Sequence, residues 1–148
     1  MKYFTKIVDV MIKFMIPIVI IALLMGIARV VLDLRAVFGS EETLGLDGDY
    51  RLFIVHSDGV GEIGGYFNET DQLPAVVESH SNEGQYFFIS NSRSSGIASA
   101  YYKEILAHEF QHMIQKNVDR NEDIWLNEGL AQVAQRLNGY NTAFTHHN

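Results

Sequence analysis

The chain contains no cysteine, which excludes a disulfide scaffold, a thiolate metal site and a cysteine nucleophile at once. Proline is nearly missing as well, with two in 148 residues, so no proline-rich linker is present. Basic residues are the minority, eleven against eighteen acidic, for a formal net charge of -7. That balance argues against a nucleic-acid partner, whose phosphates would meet repulsion rather than a basic patch. There is no internal repeat and no low-complexity tract, hence no solenoid. What is there is an ordinary globular composition, 47% apolar and 20% charged, at a length that holds one domain with a short appendage.

The apolar residues are unevenly spread. Residues 14–28 read FMIPIVIIALLMGIA without a charge, and Val30, Val31 and Leu32 continue after Arg29. A membrane-spanning helix needs roughly 20 apolar residues, which this stretch reaches if Arg29 extends its head to the interface. Lys2, Lys6 and Lys13 precede it against a single Asp9, a bias that holds the leading end in the cytoplasm and sends the remainder across. Residues 1–33 therefore read as a signal anchor, or as a signal peptide cleaved after the small-x-small Gly26, Ile27 and Ala28. Both versions place the rest of the chain outside the cytoplasm. Residues 34–46 read as a spacer, and from residue 34 onward seven basic residues stand against sixteen acidic ones.

Strand formers lead and helix formers follow. Residues 51–56 (RLFIVH) and 85–90 (QYFFIS) are short apolar runs bounded by turn residues, and residues 64–67 (GGYF) begin a third extended segment. Over residues 99–116 and again over 126–137 the pattern changes to a helical period. That order predicts an α+β fold, a small strand-containing lobe and then two helices, over residues 47–140. Residues 141–148 read as a disordered tail. In the second helix, the stripe of Leu126, Leu130, Val133 and Leu137 is expected to face the core.

The strongest chemical signal is His108-Glu109-Phe110-Gln111-His112, an H-E-x-x-H sequence inside the first of those helices. Two imidazoles one helical turn apart nearly overlie one another and can fill two corners of a tetrahedral ion's coordination. Glu109 lies to one side, placed for a water rather than for the metal. Leu106, Phe110, Met113 and Ile114 fall on a separate stripe, so the helix can bury that stripe and offer its His/Glu face to a cleft. A third protein ligand is still needed. Glu128 lies sixteen residues after His112, near the opening of the second helix. The short polar connection implies an antiparallel return that turns Glu128 toward the imidazoles. Glu122 and Asp123 in that connection are competing ligands, and geometry prefers Glu128.

The segments LAHEFQHMI (106–114) and WLNEGLA (125–131) resemble the gluzincin type of zinc metallopeptidase, closest to the secreted bacterial hyicolysin-like peptidases and more loosely to the immune-inhibitor-A-like enzymes. Residues 47–49, 64–67 and 81–83 also look like segments that accompany such an active site, so the likeness covers about residues 47–139. The resemblance implies one zinc ion held by His108, His112 and Glu128, with Glu109 as general base. It further implies endopeptidase cleavage of extracellular protein through a metal-activated water. Four residues after the ligand glutamate such enzymes often carry an acidic group that orients a ligand histidine. Here Gln132 stands there, its amide oxygen able to accept an imidazole N–H. The second lobe usual after the ligand helix has no counterpart, since only residues 138–148 follow, with Tyr140, His146 and His147 among them. The alternative is a truncated or non-catalytic zinc-binding domain that acts by binding a partner.

Smaller expectations complete the sequence. A calcium site at Asp47 and Asp49 ranks below a plain turn. His56 and His80 are structural or surface residues, Tyr101 and Tyr102 pack, and Arg93 with its neighbouring serines forms a polar loop. Residues 85–90 offer either an ordinary core strand or an edge to which an extended substrate adds. Gln111, Gln115, Lys116 and Asn117 make the motif helix too polar to span a bilayer.

Overall fold

The structure, a computed structural model, describes residues 2–41 and 44–140, with side chains from residue 19 onward. Its elements are α1 (Lys2–Phe38), β1 (Phe53–Ser57), β2 (Gly65–Phe67), β3 (Tyr86–Ser90), α2 (Ala100–Val118) and α3 (Ile124–Leu137), with short 3-10 turns at Asp58–Val60 and Glu69–Gln72. The architecture is α+β. Each strand and helix of the domain falls on the segment whose periodicity predicts it.

The three strands form one sheet in the order β1-β3-β2. β3 pairs parallel with β1, Phe53 opposite Tyr86, and antiparallel with β2, Phe67 opposite Phe87. With a neighbour on both sides, β3 has no free edge to which a substrate strand could add. It is the core strand of the two alternatives, with Phe87 and Ile89 buried. The free edges belong to β1 and β2.

α2 is the hub. Ser99 caps its start, the hydroxyl accepting from the Tyr102 N–H at 2.9 Å. One side packs on the sheet, where Phe87 and Phe110 meet edge to face at 6.0 Å. Elsewhere Leu106, Ala107, Met113 and Ile114 join Val30 and Leu34 of α1 and Ala134 of α3 in the main core. The helix is thus buried well beyond the single apolar stripe, and even Glu109, Gln111 and Gln115 lie inside.

α3 departs from its expected orientation. Its buried residues are Ala131, Ala134 and Gln135, while Val133 and Leu137 of the predicted stripe are exposed. Asn127 and Glu128 bond to the α2 histidines, and residues three and four further on share that face. Small alanines there let the two helices approach closely, and the larger apolar side chains are turned outward.

α1 also differs from expectation. No break in the fold occurs between residues 33 and 34, because the helix continues to Phe38 and buries Val30 and Leu34 completely. Arg35 is clamped by Glu41, its Nε donating at 2.9 Å, and its guanidinium lies 5.9 Å from the Phe110 ring centre. Part of the expected spacer is therefore core. Among the described residues no helix is long and apolar enough to cross a membrane. The apolar run begins at Phe14, and the side chains of residues 14–18, like the whole tail 141–148, lie outside the described residues.

β2 is held tightly against α2. A Cβ built on Gly65 would lie 2.7 Å from Ile105 Cγ2 and 2.8 Å from the Phe88 carbonyl oxygen, a sheet atom that cannot swing aside. Gly65→Ala is expected to destabilise the domain by about 1–3 kcal/mol through overpacking, read as a lowered Tm.

Candidate metal centre

His108 and His112 emerge from consecutive turns of α2, and Glu128 reaches them from the second turn of α3. The two imidazole Nε2 atoms are 3.0 Å apart, the Glu128 carboxylate oxygens lie 3.3 Å from His108 Nε2 and 3.5 Å from His112 Nε2. The rings stand nearly perpendicular, 86° between planes. Ligands about 2.0–2.1 Å from a tetrahedral ion are separated by about 3.3 Å from one another, so these spacings fit a metal. Two imidazoles and a carboxylate form a group able to hold a metal ion, and it is the sole such group of three or more among the described residues.

The surroundings prepare the donors. Asn127 Oδ1 stands 2.9 Å from His112 Nδ1. A carbonyl oxygen only accepts, so the ring proton sits on Nδ1 and the Nε2 lone pair points at Glu128 and His108. His108 is pushed below the ordinary histidine range, chiefly by burial and then by His112, against the opposing pull of Glu128 and of the Gln135 side chain. It is therefore the neutral, ligating form that the site favours. Gln132 makes no hydrogen bond to either ring. The orienting contacts come instead from Asn127, bonded to His112, and from Gln135, bonded to His108.

Glu109 is 8% exposed and is not one of the three donors. Its Oε2 accepts the Phe67 N–H of β2 at 2.9 Å. Burial drives its carboxyl up from 4.5 to about 7, opposed by the Phe67 N–H and helped by the charge on Glu128. The sign for stability follows. Below pH 4.5 folded and unfolded chains both hold the proton; between 4.5 and 7 only the folded chain does, so stability falls as pH rises, and above 7 it levels off. In the metal-free protein this loss amounts to about 3 kcal/mol. Glu109→Gln should abolish that share of the slope, making the metal-free variant the more stable form at pH 8, in thermal melts run from pH 5 to 8.

The competing groups are placed elsewhere. Glu122 accepts from Gln115 Nε2 at 3.2 Å, and Asp123 precedes α3 without joining the donors. Asp47 and Asp49 form a turn, Asp47 Oδ1 accepting the Asp49 N–H at 3.0 Å, and Asp49 pairs with Arg51 rather than a cation. Arg93 pairs with Glu62, His80 is at the surface beside Glu78, and exposed His56 bonds the buried Tyr102 hydroxyl at 3.0 Å. Tyr140 packs against the main core, and His146 and His147 lie outside the described residues.

Beside the donors opens a cavity of about 250 Å³, bounded by Phe67, Glu69, His112, Lys116, Arg120 and Glu128 among others. Phe67, Lys116 and Arg120 carry no spacing signal that could have marked them. Asn127 could have been found, one position before the third ligand and on the returning helix. Comparison of the chain with protein-family models, curated proteins and solved structures yields no match in any of the three.

Proposed function

We propose that the chain is a zinc-dependent endopeptidase acting on extracytoplasmic protein or peptide bonds, attached to the membrane by its N-terminal helix or secreted after that helix is cleaved. What carries this reading is the meeting of two imidazoles and a carboxylate from separate helices beside a buried second carboxyl, Glu109. A two-histidine, one-carboxylate donor set suits zinc and leaves a fourth position open. His108, His112 and Glu128 would hold the ion. Zinc bound there would supply a Lewis acid that polarises a carbonyl and lowers the pKa of water toward about 7.

The remaining work belongs to the chain. Glu109, with its carboxyl raised to about 7, is matched to taking a proton near neutral pH and returning it to the leaving amine. The Phe67 N–H fixes one of its oxygens, Oε2. Lys116, bonded to Glu69, and Arg120 are the cationic side chains on the wall of the cavity beside the donors, where they would offset negative charge that develops there.

Metal analysis of the purified full chain is expected to find one zinc per chain. Hydrolysis of an unfolded protein should stop on chelation and resume when zinc is restored. Bound zinc without turnover would select the partner-binding alternative, and a chain that takes up no metal would end both.

A further inference from the structure

α1 and α2 run side by side in the same direction. Gly26 abuts the Lys103 amine, Arg35 lies over Phe110, and Ser40 accepts from the Asn117 amide at 2.9 Å. Along α1 one face enters the core, and exposed apolar side chains occur on the rest, also further on at Leu32 and Val37. Leu24 and Met25 are 60% and 67% exposed, whereas Val30 and Leu34 are sealed in the core. The C-terminus of α3 arrives at the Gly26 end of this pair, where Leu137 lines a cavity with Gly26, Arg29 and Lys103. Leu137, 53% exposed, lies at this end with Leu24 and Met25, beside Lys103 and an Arg29 paired with Asp33, and Tyr101, 44% exposed, opens the first turn of α2 two residues before Lys103, its hydroxyl near Gly64.

We propose that this end of the domain is a bilayer-docking face, which holds the His108–His112–Glu128 group just above the lipid and restricts its substrates to polypeptide lying at the membrane surface. The occupant follows from the chemistry. The apolar run of residues 14–28 leads straight into this face. An aromatic side chain at the start of α2 and the cations Lys103 and Arg29, the latter paired with Asp33, match the headgroup layer, where rings lie at the interface and cations meet lipid phosphates. The height follows from helix geometry. His108 and His112 are five and nine residues beyond Lys103, about 8 and 14 Å along α2. A peptide bond must come that near the lipid to reach the donors, because α1 enters the core without a flexible linker. The substrate half of this proposal rests on the peptidase reading above.

Single-tryptophan fluorescence in vesicles of mixed zwitterionic and anionic lipid tests the face without needing turnover. The chain has one tryptophan, Trp125, at the opposite end of α3 from Leu137, about 18 Å away. With a nitroxide on the lipid headgroup, a tryptophan placed by Leu137→Trp in a Trp125→Phe background should be quenched roughly five-fold more strongly than native Trp125. Tyr101→Trp serves in the same way should the first variant fail to fold. Equal, weak quenching at both ends would overturn the docking face, as would protection of these sites by self-association instead of lipid. For the substrate half, the zinc-loaded full chain in the same vesicles is given an unstructured polypeptide tethered to lipid at one end. Cuts mapped by mass spectrometry are expected to cluster near the tether, and cuts spread evenly along it would overturn the restriction. Strong quenching at Leu137→Trp with no cutting of tethered or free polypeptide would uphold the face and remove the peptidase reading alone.

Discussion

Glu109→Gln should lower turnover by about 10²–10⁴-fold while leaving bound zinc unchanged. The substitution keeps the shape of the side chain and its contact with the Phe67 N–H, yet an amide cannot accept and return a proton. Because Glu109 is not among the three donors, metal content is the internal control. Loss of turnover together with loss of zinc would mean that Glu109 holds the ion or the fold rather than moving protons. Full turnover with zinc retained would remove it from the chemistry.

The second large effect concerns the metal itself. Glu128→Ala takes away one of three donors and leaves two imidazoles 3.0 Å apart, with no anion to offset the charge of the ion. Zinc affinity should fall by more than the roughly 10–100-fold typical of losing a residue that only orients a ligand. Asn127→Ala, which frees the His112 ring to take the other tautomer, should fall within that 10–100-fold range. Gln132→Ala should do nothing, since its side chain meets neither ring. Competition titrations against a chelator of known affinity give all three on one scale. A Gln132 effect equal to that of Asn127 would contradict the arrangement of α3 described above.

The order of these outcomes mirrors what could be read from residues alone. The H-E-x-x-H pair, the helix carrying it and the antiparallel return of Glu128 were legible because each depends on spacing within one helix or across one short connection. The strands were legible as segments, but not their order. Placing β3 between β1 and β2 depends on pairings twenty or more residues apart, for which residues 85–90 carry no local signal. The orientation of α3 was misjudged for a related reason. Amphipathicity points Leu130 and Val133 inward, whereas the bonds from Asn127 and Glu128 to the histidines fix the rotation of the helix the other way. α1 read as anchor and spacer because Arg29, Asp33 and Arg35 interrupt its apolar run. Those charges flank the stripe on which Val30 and Leu34 complete the core.

The anchoring of Glu109 by a β2 amide has a practical corollary. All three candidate metal donors stand on the helical pair α2 and α3, while Glu109, the proposed proton carrier, takes its bearing from the edge of the sheet. On the peptidase reading, ion retention and bond cleavage would therefore rest on separate foundations. Disturbance at the sheet margin, whether by a side chain added at Gly65 or by mild denaturant, would be felt as a slower catalyst still fully charged with its ion.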